Sequence, residues 1–193
     1  MITLGILSST RGSNLSPIIT AIQTKKLSAE IKVVLSNRQN ALILKRATEY
    51  HLPALWIDPN AYPTREAYDQ ALSNVLHQHQ VEWVVLIGYM RILSESFVKE
   101  WRDHILNVHP SLLPAFAGKM DLAVHQAVLD AGIKETGCTV HLVTSEVDAG
   151  PIVVQKRCAI LASDTAETLK ARVQSLEGEA LVEALQHCKK QSR

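Results

Sequence analysis

The chain has 193 residues, 47% of them hydrophobic and 20% charged, with 20 lysines and arginines against 19 aspartates and glutamates. A chain of this length can bury a core without disulfide or metal staples, and one domain spanning 1–193 is expected. The near-neutral charge argues against a general nucleic-acid binder but leaves room for one local anion site.

Cys138, Cys158 and Cys188 include no CxxC pair, which excludes a zinc ribbon or a thioredoxin-type motif. Their odd number suits free thiols in a reducing compartment. No apolar run reaches the roughly 18 residues of a membrane helix. The opening MITLGILSSTRG lacks a positive lead-in and reads as a buried strand rather than a secretory signal. A cytoplasmic protein is expected.

In chain order, Ile2–Leu7 is a run of strand length, broken at Gly12–Asn14. Leu15, Ile18, Ile19 and Ile22 then share one helical face. Ile31–Leu35 reads as a strand, Ala41–Tyr50 as a helix stopped before Pro53, and Ala54–Ile57 as a short strand. Thr64 is an N-cap for a helix with Tyr68, Leu72, Val75 and Leu76 on one face. Trp83–Ile87 is apolar on both faces, as in the middle of a parallel sheet. Ile105–Val108 is the next strand. Thr139–Val143 and Ile152–Ile160 alternate and are expected to pair antiparallel at a sheet edge, before an amphipathic helix over Thr165–Leu185. Strand and helix in alternation predict an α/β fold, doubly wound around a mostly parallel sheet with antiparallel late strands.

Such folds bind ligands beyond the C-terminal strand ends, and three polar clusters fall there. Ser8–Asn14 opens a helix and offers N–H, Ser and Asn donors, as a phosphate site does, or is an ordinary capped turn. Lacking Gly-x-Gly-x-x-Gly and Walker A patterns, it suits a phosphomonoester better than a dinucleotide or a triphosphate. Gly88–Leu93 ends the central strand, and its Met90, Ile92 and Leu93 are either core or an apolar wall for a flat heterocycle. In Asn107-Val108-His109-Pro110-Ser111-Leu112-Leu113-Pro114, Asn107 and His109 are two apart on an extended segment and project together. An amide donor beside an imidazole can stabilise an oxyanion and shuttle a proton. Asp148-Ala149-Gly150-Pro151 is a good turn, or a carboxylate that orients His109 and raises its pKa. His77 and His79, two apart in a helix, do not form a metal pair, and Ser111 lacks a hydrolase elbow.

The Asn-x-His-Pro-Ser-Leu-Leu-Pro run resembles the folate-dependent formyltransferase family, in the branch acting on 5-phosphoribosylglycinamide. Gly12-Ser13-Asn14-Leu15, Ser36-Asn37, Arg65–Asp69, Gly88–Leu93, Thr139-Val140-His141 and Asp148–Pro151 support it in order and spacing, and the likeness runs from Ile2 to about Leu181. It implies a Rossmann-like formyltransferase domain in purine biosynthesis. The formyl group of 10-formyltetrahydrofolate, the co-substrate, would pass to the glycyl amine without a metal. It further implies that Gly12, Ser13 and Asn14 hold the substrate phosphate and that Glu177 contacts the ribose. Arg65 and Met90, Arg91, Ile92 and Leu93 would belong to the folate site with Asn107, while Asn107, His109 and Asp148 form the catalytic trio. Departures from the family pattern are Thr10 and Gly178, a longer Lys119–Val124 stretch and Leu181-Val182. The implied partners are small molecules, with no nucleic acid and no membrane, for a monomer or weak homodimer. A second domain, as other family branches carry, is not expected in 193 residues. The alternatives are another folate-dependent formyltransferase and a non-catalytic folate- or sugar-phosphate-binding module.

Overall fold

The structure is a computed structural model and describes residues 1–191. Its strands are β1 (Ile2–Ser8), β2 (Ala29–Ser36), β3 (Ala54–Trp56), β4 (Trp83–Leu86), β5 (Ile105–His109), β6 (Glu135–Leu142) and β7 (Ile152–Ala159). Its helices are α1 (Leu15–Gln23), α2 (Leu42–Glu49), α3 (Arg65–Gln78), α4 (Glu95–Glu100), α5 (Leu122–Asp130) and α6 (Ala166–Gln191). The strands form one sheet in the order β3-β2-β1-β4-β5-β6-β7. Pairing is parallel from β3 through β5 and antiparallel from β5 through β7. This is the expected doubly wound sheet with antiparallel late strands. β7 forms one edge, and β6 lies inside it.

Alternation along β1 feeds two cores. Ile2, Leu4 and Ile6 pack with buried residues of α1, α2, α5 and α6. Leu7 packs on the other face with Tyr68, Leu72 and Leu76 of α3 and Phe97 of α4. The chain winds from β1 out to β3 and returns to β4 on the other side of β1, so the switch point lies between β1 and β4. Their C-terminal ends, with that of β5, open one crevice.

Two helices escaped the sequence reading. α4 has only six residues, too few for a 3.6-residue period to show. Its start is marked by Ser94, whose Oγ accepts from the Phe97 N–H at 3.4 Å. α5 follows a loop with left-handed Phe116, Gly118 and Asp121, and its apolar spacing is weak. β6 begins four residues before the expected Thr139, because Glu135–Cys138 pairs with Lys156–Ala159 of β7. Gly137 breaks the β-branched pattern there; a Cβ on it would lie 1.8 Å from the Lys156 carbonyl oxygen. Thr64 does cap α3, accepting from the Ala67 N–H at 3.1 Å. Among the described residues, no helix is long and apolar enough to cross a membrane.

Candidate active site

The loop after β1 is tied to both neighbouring strand ends. Ser9 Oγ donates to Asn37 Oδ1 at 2.6 Å and accepts from the Met90 N–H at 2.8 Å. The loop's turn needs Gly12, whose φ is +61° and whose Cβ, if present, would lie 2.4 Å from Ile43. Asn14 precedes α1, but no side chain caps this helix. Asn14 Nδ2 instead donates to Glu177 Oε2 at 2.6 Å. The helix N-terminus therefore keeps its partial positive charge for an anion, although the Leu15 N–H already donates to the Gly12 carbonyl at 3.0 Å.

A cavity of about 340 Å³ lies along the crevice, lined by Ser13, Asn14, the 86–93 segment, Asn107, His109, Asp148 and Glu177. That volume suits a small ligand. All three polar clusters thus face one space. Met90, Arg91, Ile92 and Leu93 all line it. Behind them, the Arg91 guanidinium lies 5.0 Å over the Tyr68 ring, and Asp69 Oδ2 accepts from the Ser94 N–H at 2.5 Å. These contacts hold the segment in place. Gly12 does not line the cavity; it packs against Ile43. Arg65 does not line the cavity; its exposed side chain contacts Glu66 at 3.5 Å.

His109 is 4% exposed. Its Nδ1 is 3.2 Å from Asp148 Oδ2, and its Nε2 is 3.2 Å from the Phe116 carbonyl oxygen. Asp148 occupies the turn between β6 and β7 with φ +55°, a backbone region that Asp and Asn tolerate better than most residues. The Gly118 N–H donates to its Oδ2 at 2.8 Å. Burial raises the Asp148 pKa, but the His141 ring, the Gly118 N–H and the His109 charge outweigh it and leave it below the usual value. For His109 the balance differs from the sequence expectation. Burial lowers its pKa more than Asp148 and the Phe116 carbonyl raise it, and the ring ends below its ordinary 6.5.

Thr139 braces the loop after His109. Its Oγ1 donates to the Ser111 carbonyl at 2.7 Å and accepts from the Leu113 N–H at 3.0 Å and from Gln155 Nε2 at 2.9 Å. Residues 111–114 are thus held by both late strands.

At the other end of the cavity, Glu177 is 8% exposed. Burial pushes its carboxyl pKa up, and the Asn14 hydrogen bond pulls it down. Lys119, Met120 and Asp121 line the cavity beside Lys170, Gln174 and His125, so the 119–121 segment borders the site. Asp121 ion-pairs with Lys170. Gly178 has a packing reason: a Cβ there would lie 2.6 Å from Pro17 of α1. Thr10 likewise has its Oγ1 against Gly88, 2.5 Å from where a Cβ would be.

Two histidines of the cavity were given no role by sequence reasoning. His141 stands beside Asn107 and Asp148; the alternation of Thr139 and His141 was legible, but the register that pairs His141 with Asn107 was not. His125 is buried in α5, a helix the sequence did not reveal.

The formyl transferase family matches residues 4–185 of the chain. A trifunctional purine biosynthetic protein adenosine-3 of Gallus gallus is 42% identical over 185 residues, covering 96% of this chain and 18% of that protein. The chain spans only 13–18% of the length of the trifunctional relatives it matches. A phosphoribosylglycinamide formyltransferase of Escherichia coli (strain K12) is 39% identical, with 89% of this chain and 80% of that protein covered. Among solved structures, glycinamide ribonucleotide transformylase 1 from Symbiobacterium toebii superposes with a TM-score of 0.92 at 40% identity, covering 96% of this chain and 86% of that one. Phosphoribosylglycinamide formyltransferase from Brucella melitensis gives 0.90 at 39%, covering 96% and 94%.

Proposed function

The chain belongs to the formyl transferase family, and from that premise we propose that it transfers the formyl group of 10-formyltetrahydrofolate to the amine of 5-phosphoribosylglycinamide. One observation carries the reading. Asn107, His109 and Asp148 converge on a cavity whose other end is the uncapped N-terminus of α1. The same cavity thus holds a proton-transfer site and an anion site, as a phosphorylated amine requires.

The chemistry follows from the groups present. The amine lone pair attacks the formyl carbon, and the carbonyl oxygen takes up negative charge. Asn107 Nδ2 donates to that oxygen; a donor so placed contributes roughly 10²–10³ in rate. In its neutral form, with Nδ1–H donating to Asp148, His109 has a bare Nε2 that cannot bond the Phe116 carbonyl and becomes a base once that carbonyl is displaced. The substrate amine replaces the Phe116 carbonyl at that nitrogen and gives it a proton. Asp148, held ionised by its neighbours, stabilises the imidazolium that forms. The carbon–N10 bond then breaks, and His109 returns the proton to N10 of the departing tetrahydrofolate. Burial supports the first transfer, because a ring with a lowered pKa is free to accept at neutral pH. Ser13 and the α1 N-terminus hold the phosphate, Glu177 takes the sugar hydroxyls with the oxygen not used by Asn14, and Met90–Leu93 flank the folate ring.

The test is steady-state turnover. Purified protein should release tetrahydrofolate only when both substrates are present. Binding of both without turnover would favour a binding module and refute the proposal.

A further inference from the structure

Asn107 stands directly opposite His141 in the antiparallel register of β5 and β6, so the two side chains leave the same face of the sheet. The His141 ring is 2% exposed. Its Nδ1 lies 2.9 Å from the Leu142 carbonyl oxygen. A carbonyl oxygen only accepts, so Nδ1 carries the ring proton. In the neutral ring Nε2 is then a lone pair, 3.1 Å from Asn107 Nδ2. Asp148 Oδ1 lies 3.6 Å from the same nitrogen, longer than an ordinary hydrogen bond.

This chain of partners leaves Asn107 one orientation. The Nε2 lone pair accepts from the amide NH₂ group. If the amide turned over, its oxygen would face that lone pair with no proton between them. One N–H of Nδ2 is therefore committed to His141, and the other remains for the cavity. A free asparagine amide has no such constraint, because its terminal torsion is broad and roughly two-fold. Turned over, it would present an acceptor to an oxygen that is gaining negative charge.

We propose that His141 is a positioning residue for formyl transfer. Held as the Nδ1–H tautomer by Leu142, it fixes the Asn107 amide with its N–H toward the oxyanion. This inference rests on the formyl-transfer reading above. His141 touches neither substrate in this role; it acts through Asn107.

Four measurements test it. His141→Leu, which removes the acceptor, should lower kcat roughly 10- to 100-fold, part of the effect of losing the donor itself. The KM for each substrate should stay within about 2-fold, as expected when an interaction made only in the transition state is lost. His141→Gln, whose amide oxygen can accept from Asn107, should recover most of that loss. In an Asn107→Ala background, His141→Leu should cost less than about 2-fold further, since the group it positions is gone. Equal losses with and without Asn107, or no recovery in the Gln variant, would overturn the proposal. The fourth measurement needs no activity: ¹⁵N NMR of histidine-labelled protein should show His141 protonated at Nδ1 and bare at Nε2. A proton at Nε2 would also overturn it. Wild-type turnover run alongside keeps the two readings apart. If the wild type does not turn over, the formyl-transfer reading fails, and the tautomer alone decides how Asn107 is held.

Discussion

His125 offers the sharpest stability prediction. Its side chain is 1% exposed, and its Nδ1 has no hydrogen-bond partner among the described residues. Burial first, and the Lys170 ammonium second, push its pKa from the ordinary 6.5 down to about 4, against the opposing pull of Asp121. Between those values the unfolded chain binds a proton that the folded chain refuses. The folded state is therefore fully favoured above pH 6.5 and loses stability as pH falls toward 4. From pH 7 to pH 5 the loss attributable to this one ring is about 2 kcal/mol. Over that window most carboxylates remain ionised, so the effect is not buried under general acid denaturation. Urea unfolding of wild type and His125→Gln at pH 7, 6 and 5 isolates it. The wild type should lose about 2 kcal/mol more than the variant, whose residue 125 cannot titrate. Parallel losses would refute the reasoning and mean that water or a partner reaches the ring.

Other predictions follow from the same geometry. Asp148→Asn keeps the left-handed backbone, which Asn also tolerates, so the fold should survive, while kcat falls roughly 100-fold or more. It also removes the main influence raising the His109 pKa, so the acid limb of the pH–rate profile should move to lower pH; an unmoved limb would remove Asp148 from the mechanism. Ser13→Ala should raise KM for the phosphorylated substrate roughly 10-fold, the scale of one hydrogen bond to a charged group, and leave KM for the folate unchanged. Equal rises would contradict the phosphate assignment. Gly178→Ala should lower Tm even though alanine favours a helix by about 1 kcal/mol, because its Cβ would meet Pro17 at 2.6 Å. A raised Tm would show that α1 yields easily.

Much of the scaffold was legible because its signals are local. The both-face apolar run at Trp83–Ile87 placed β4 in the middle of the sheet, and Thr64 marked the start of α3. Asn107 and His109 share a face by simple alternation, and they do line one cavity. What stayed hidden depends on distance along the chain. Asp148 reaches His109 only because β6 and β7 fold back against β5. The lowered His109 pKa could not be anticipated, since a sequence shows the carboxylate that raises it but not the burial that outweighs it. Asn14 looked like a phosphate ligand or a helix cap, and the structure gives its Nδ2 to Glu177, 163 residues away. The pairing of Asn107 with His141 needs a strand register, which alternation alone does not supply.

The central claim is that the formyl carbon moves from folate nitrogen to the glycyl amine through Asn107 and His109. Supplying 10-formyltetrahydrofolate labelled with ¹³C in the formyl group tests it directly by NMR of the products. The label should appear on the glycyl nitrogen of 5-phosphoribosylglycinamide with the wild-type protein, and should remain on the folate with the Asn107→Ala, His109→Ala double variant. Label released as free formate, or transferred equally well by the double variant, would contradict the account.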